Sequence, residues 1–117
     1  MEIKTAQTRV DEWIKTYGVK YFSELTNLGI LMEETGELSR HVVRLYGDQS
    51  YKKNDDGTEQ NLTEAKRKLA DEMADVFWVL LCLANQTGVD LDEAFKNNID
   101  KKTNRDKLRH KENKKLQ

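Results

Sequence analysis

The chain has 117 residues, of which 35% are charged, yet its formal net charge is only −1. This length fits a single domain with a modest core, and the charge balance gives no global argument for a nucleic-acid partner. The single Cys82 lies in an apolar run and reads as a small buried hydrophobe rather than part of a disulfide framework. The longest apolar run, Val76 to Ala84, is too short to span a bilayer, and the Met1–Thr5 start lacks the features of a signal peptide, so a cytoplasmic location is expected.

With no proline and only 6 glycines, the chain reads as all-α, an antiparallel bundle of about four helices. From Ile3 to Tyr17, the residues Ala6, Val10, Trp13, Ile14 and Tyr17 recur at helical spacing, and Gly18 marks the end. Ser23 is the expected N-cap of a second helix over Glu24 to Tyr46. Gly47 to Gln60 is polar and reads as a flexible loop: either a lid whose Lys52 and Lys53 face an anionic ligand, or a tolerated surface insertion. Asn61-Leu62-Thr63-Glu64 is a capping box opening a third helix that reaches about Asn85. Asp90 to Glu93 caps a shorter fourth helix, with Leu91, Phe95 and Ile99 expected on its inner side. Residues 1–105 thus form the domain, and 106–117 a polar extension expected to fray.

Two acidic clusters stand out. Glu34 and Glu37 are three apart, as are Glu72 and Asp75, so each pair lies along one side of its helix. Taking about 100° per residue, Leu28, Leu31, Thr35, Leu38, Val42 and Leu45 form an apolar stripe that the first pair borders. Leu69, Met73, Val76, Leu80 and Leu83 form the matching stripe beside the second pair. Antiparallel packing of the two stripes brings both pairs to one level. Carboxylates gathered this way repel unless a cation sits between them, and oxygen donors alone suit Mg²⁺, with Mn²⁺ as a substitute. A carboxylate-bridged iron pair fits less well, because the nearby His41 follows Glu37 by four rather than three and the third helix has no histidine. His41 either orients a carboxylate or a phosphate, or is a structural partner.

A carboxylate cage of this kind is normally completed by substrate phosphates, which implies metal-assisted hydrolysis of a nucleotide or another polyphosphate. Lys101, Asn104 and Arg105 are the candidate phosphate contacts, or else a solvated run. Trp13 is a candidate for stacking on a base, or else a core residue. Trp78 falls opposite the stripe of the third helix, making that helix apolar nearly all round; the expected cause is burial against a second subunit.

Glu-Glu-Thr-Gly-Glu-Leu at 33–38, together with Asp-Glu-Met-Ala-Asp-Val at 71–76, resembles the Glu-Glu-x-x-Glu…Glu-x-x-Asp signature of the MazG-like all-α nucleoside triphosphate pyrophosphohydrolases. Gly-Val-Asp-Leu-Asp-Glu-Ala-Phe at 88–95 is similar to that family's lead into its last helix. The resemblance implies a bundle completed by homo-oligomerisation, as a homodimer or homotetramer, and Mg²⁺-dependent cleavage of a nucleoside triphosphate between its α and β phosphates. It implies Glu34, Glu37, Glu72 and Asp75 as metal ligands. It also implies that Glu33 serves an additional ion or positions the attacking water. Lys101, Asn104 and Arg105 match the family's terminal site residues loosely. The 34 residues between Glu37 and Glu72 exceed the family's usual gap, and the excess falls in the 47–60 loop. The alternative reading is a non-catalytic helical interaction or regulatory module, which would gain nothing from clustered like charges; a nucleic-acid binder acting through the basic tail is weaker still.

Overall fold

The computed structural model describes residues 1–117. Four α-helices follow one another, with no strand: α1 (Ile3–Trp13), α2 (Glu24–Tyr46), α3 (Leu62–Thr87) and α4 (Leu91–Lys111). A π-helical turn, Ile14–Gly18, extends α1, and a 3-10 turn, Lys114–Leu116, closes the chain.

Local capping explains the boundaries. The Ser23 hydroxyl accepts from the Thr26 N–H at 3.2 Å, Asn61 Oδ1 from the Glu64 N–H at 3.0 Å, and Asp90 Oδ1 from the Glu93 N–H at 3.3 Å. The capping box at Asn61 is half made, since the Glu64 carboxylate turns to Arg67 at 2.6 and 3.0 Å. Gly88 ends α3 in the left-handed region (φ 73°).

The α1–α2 junction departs from expectation. Positive φ falls on Val19 rather than on the preceding Gly18. At φ 71°, ψ −61°, with the Lys20 N–H donating to the Gly18 carbonyl at 2.9 Å, Val19 forms a γ-turn of the rare, strained hand. A β-branched residue there is costly and persists only where its surroundings over-determine it. They do: the Tyr21 hydroxyl donates to Asp11 at 2.6 Å and accepts from the Asn85 amide at 3.1 Å. Gln86 donates to the Phe22 carbonyl at 2.6 Å, and Asn27 donates to Gln86 at 2.7 Å. The junction is thereby fastened to the last turns of α3. Burial and the bond to Asp11 push the Tyr21 phenol up to about 12, so it stays a proton donor.

The core is thin. Val10, Leu81 and Cys82 form its buried centre, with Ile3, Ala6, Ile14, Tyr21, Trp78 and Leu91 packed around them. Trp78 therefore faces α1 within the chain, meeting Trp13 edge-to-face at 5.2 Å between ring centroids; the expectation of an outward Trp78 is corrected. Burial also raises the Cys82 thiol above its ordinary range, in keeping with an inert core residue.

α2 and α3 run antiparallel: Asn27 meets Gln86, Glu34 meets Asp75, and Leu45 lies beside Leu62 and Ala65. Their seam is rotated from the expected one. Leu31, Leu38 and Leu45 are inward as expected, but they share the seam with Asn27, Glu34 and His41, while Leu28 and Val42 face out. On α3, Leu69 and Val79 are buried, while Met73 and Leu80 are half-exposed. The rotation is about 40° on each helix, towards the acidic edge.

α4 packs within the chain chiefly on α1, tied by the Lys4 N–H to Asp92 at 2.9 Å and the Leu91 N–H to Gln7 at 2.9 Å. Phe95 and Ile99, expected to be inward, are about half-exposed because α4 leaves the bundle after its first turn. The helix also continues to Lys111 instead of stopping near Arg105. Asp106 is bonded by Arg105 and Arg109 there, and Arg109, His110 and Lys111 complement the negative end of the helix dipole. The 47–60 loop contains a built turn, the Gly57 N–H donating to Asn54 O at 2.8 Å and the Asn54 N–H to Thr58 O at 2.9 Å. Lys53, one of its expected anion contacts, faces Glu59 at 3.7 Å.

Strain at Val19 makes a direct prediction. Val19→Gly should raise stability in urea denaturation by about 1 kcal/mol, the relief of positive φ outweighing glycine's unfolded-state entropy. An unchanged or lowered midpoint would mean that the turn stores no strain.

Candidate functional site

The rotated seam turns the flank acids inward. One carboxylate oxygen from each of Glu34, Glu72 and Asp75 lies within 4.8 Å of the others. Glu34 comes from the middle of α2; Glu72 and Asp75 come from α3, three residues apart and so on one side of it. Glu37, the fourth expected ligand, is exposed and does not join the group; Glu33 is exposed on the solvent side. The Glu34 carboxyl is raised above its ordinary range, first by burial and then by the negative charges of Asp75, Glu72, Glu33 and Glu37. No lysine or arginine is ion-paired with any of these acids. A site that concentrates negative charge without an internal counter-charge fits a divalent cation held by oxygen donors.

His41 is the nearest positive candidate. Its Nε2 lies 3.8 Å from Glu72 Oε1, beyond hydrogen-bond reach, and its Nδ1 is 2.6 Å from the Tyr51 hydroxyl. Because a carboxylate only accepts, the neutral tautomer that suits both neighbours carries its proton on Nε2 and accepts from Tyr51 at Nδ1. His41 thus joins the 47–60 loop to the acidic site, a link the sequence pattern did not reveal.

Beside the carboxylates opens a cavity of about 340 Å³. Glu34 and Asp75 stand at its edge, and its walls include Trp13, Trp78, Asn27, Lys20 and Phe22. Trp13, a sequence candidate, is there, 46% exposed and braced by Trp78. Asn27, Lys20 and Trp78 were not singled out as site residues. Asn27 is polar yet only 5% exposed, and a lone asparagine in an apolar heptad position was the one signal that could have flagged it. Lys101, Asn104 and Arg105 lie on α4; none lines this cavity, and Arg105 is occupied by Asp106 at 2.8–3.0 Å.

A family model described as the MazG nucleotide pyrophosphohydrolase domain matches residues 22–110. Among curated proteins, the chain is 36% identical over 107 residues to the uncharacterized protein YpjD of Bacillus subtilis strain 168, covering 92% of this chain and 88% of that one. It is 32% identical over 105 residues to the uncharacterized YvdC of the same strain, covering 90% and 96%. The crystal structure of the Bacillus-conserved MazG protein, a nucleotide pyrophosphohydrolase, superposes with a TM-score of 0.67 at 31% identity, over 86% of this chain and 88% of that one. That of YpjD from Bacillus subtilis gives 0.71 at 35% identity, over 86% and 94%.

The raised Glu34 carboxyl sets a pH dependence for the metal-free protein. Its folded form holds a proton to higher pH than the unfolded chain, whose value is near 4.5. Stability associated with this group is therefore present below that value and is lost as pH rises through the folded value. Glu34→Gln should gain stability over the wild type progressively as the pH rises above about 4.5, measured by thermal melts in chelator. A pH-independent difference would mean that the acids do not repel.

Proposed function

The chain belongs to the MazG nucleotide pyrophosphohydrolase domain family, and from that premise we propose that it hydrolyses nucleoside triphosphates between the α and β phosphates, giving a nucleoside monophosphate and pyrophosphate. The observation that carries this reading is the convergence of Glu34, Glu72 and Asp75 at the mouth of an aromatic-walled cavity.

In this reading Glu34, Glu72 and Asp75 hold Mg²⁺, or Mn²⁺ in its place, and Glu37, one turn along α2, completes the set by a rotamer change. The chemistry such an ion supplies when bound is polarisation of a phosphoryl oxygen and a lowered pKa for water. The protein's own groups do the rest. The Trp13 ring, held edge-to-face by Trp78, stacks on the base. Asn27 hydrogen-bonds the base edge: its amide nitrogen is committed to Gln86, whose own amide is fixed by the Phe22 carbonyl, so its Oδ1 is the atom left to accept. His41 flanks Glu72 at 3.8 Å on the side away from the cavity. Glu33, on the solvent side of α2, orients the attacking water.

A second copy of the chain completes the molecule. The radius of gyration is 18.6 Å, against roughly 13 Å for a compact chain of this length. Met73, Phe77 and Leu80 on α3 stay 40–51% exposed, and Leu28 and Met32 on α2 48–70%. These outward apolar stripes are what a homodimer or homotetramer would bury. Lys101, Asn104 and Arg105 reach the phosphates only if α4 of another copy lies over the site.

Three outcomes test the reading. A panel of nucleoside triphosphates with Mg²⁺ should release pyrophosphate rather than orthophosphate, and excess chelator should stop it; orthophosphate would mean that a different bond is cut. Glu72→Gln and Asp75→Asn should each lower kcat/KM by about a hundredfold or more with the helical circular dichroism retained, while Trp13→Ala should mainly raise KM, roughly tenfold. Phe77→Glu should lower the mass measured by sedimentation equilibrium, and an unchanged mass would place the interface elsewhere.

A further inference from the structure

On the side of the carboxylates away from the aromatic cavity lies a second, smaller one of about 210 Å³. It is walled by Arg40 and His41 of α2, Lys68 of α3 and Tyr51 of the 47–60 loop. Its single carboxylate, Glu64, is taken by Arg67 through two hydrogen bonds of 2.6 and 3.0 Å and is held below its usual carboxylate range chiefly by that arginine. Arg40 and Lys68 are in no ion pair. Two free cations therefore face a cavity to which the Tyr51 hydroxyl and His41 add polar groups, 2.6 Å from one another.

Position along the helices gives these groups a meaning. On α2 the order is Asn27 and Ile30, then Glu34, then Arg40 and His41; on the antiparallel α3 it is Cys82 and Val79, then Asp75 and Glu72, then Lys68. An aromatic cavity, an acidic centre and a basic cavity thus follow one another along the α2–α3 seam. From Glu34 to His41 the helix rises about 10 Å, a span that two outer phosphates and a lysine or arginine side chain cover together. We infer that Arg40 and Lys68 bind the β and γ phosphates of the substrate and then the departing pyrophosphate. The inference rests on the pyrophosphohydrolase reading, and it fixes the direction of the substrate: base against Trp13, terminal phosphate under the 47–60 loop. Guanidinium and ammonium groups suit this ligand, since phosphate oxygens accept charge-assisted hydrogen bonds from both. The length of the loop then has a physical reason, for it brings Tyr51 to the wall of the phosphate cavity, where its hydroxyl fixes His41.

The test is calorimetric titration of inorganic pyrophosphate, and separately of a nucleoside monophosphate, into the full-length protein with Mg²⁺. Arg40→Ala and Lys68→Ala, both at exposed positions that leave the core untouched, should each weaken pyrophosphate binding roughly tenfold to a hundredfold and leave monophosphate binding unchanged. Lys68→Arg should restore most of the loss. Unaltered pyrophosphate affinity in both alanine variants, or an equal loss for the monophosphate, overturns the assignment. If the wild type cleaves nucleotides to pyrophosphate and the variants bind pyrophosphate normally, the activity stands and this site falls. If the wild type cleaves no nucleotide yet binds pyrophosphate through Arg40 and Lys68, the site stands and the activity reading falls. Failure of the wild type to bind pyrophosphate overturns the site as well.

Discussion

Like charges are packed into the only long helix–helix seam of this chain, and much of the remaining structure can be understood as tolerating that. Glu34, Glu72 and Asp75 converge between α2 and α3 with no lysine or arginine to offset them. Burial and mutual repulsion act in the same direction on Glu34, so the bare site opposes the packing that creates it. The opposing contacts lie at the two ends of the seam. At one end Asn27, Gln86 and Phe22 are linked by short hydrogen bonds, with Tyr21 and Asn85 beside them. At the other, Ala65 and Leu69 are buried against α2. Fixing both ends lets the middle carry a charge arrangement that neither helix would adopt for stability alone.

The strained turn at Val19 belongs to the same economy of structure. A π-helical turn and a γ-turn bring Tyr21 and Phe22 back over α3 within a few residues of Trp13. That compact reversal is what lets one short helix supply both the core residue Val10 and the cavity residue Trp13. π-helical turns recur at functional sites because the extra residue redirects side chains that an ideal helix would point elsewhere. Here the redirected chain lines the cavity through Lys20, Tyr21 and Phe22.

The outer face shows the opposite balance. α2 and α3 each carry an apolar stripe wider than the seam between them, and the surplus, including Met32, Met73, Phe77 and Leu80, faces solvent. α4 buries no residue and leaves the bundle after Leu91. Eight of 117 residues are buried in the isolated chain, too few to represent all the apolar surface the helices were built to cover. The acids occupy the edge of each stripe that packs within the chain.

The sequence by itself determined four helices, their caps and the level at which the acids meet. Those features depend on local hydrogen bonding at Ser23, Asn61 and Asp90 and on a helical period that applies before any packing occurs. It did not determine which part of each broad apolar stripe would be used inside the chain, because leucines and methionines contribute similar burial whichever neighbour covers them. Only the tertiary structure decided that rotation, and with it that Glu34 and His41 face inward, that Trp78 braces Trp13, and that Glu37 stays at the rim. Tyr51 and Lys68 became legible in the same way, since a loop residue and a mid-helix lysine acquire a common cavity only once α2 and α3 are laid side by side.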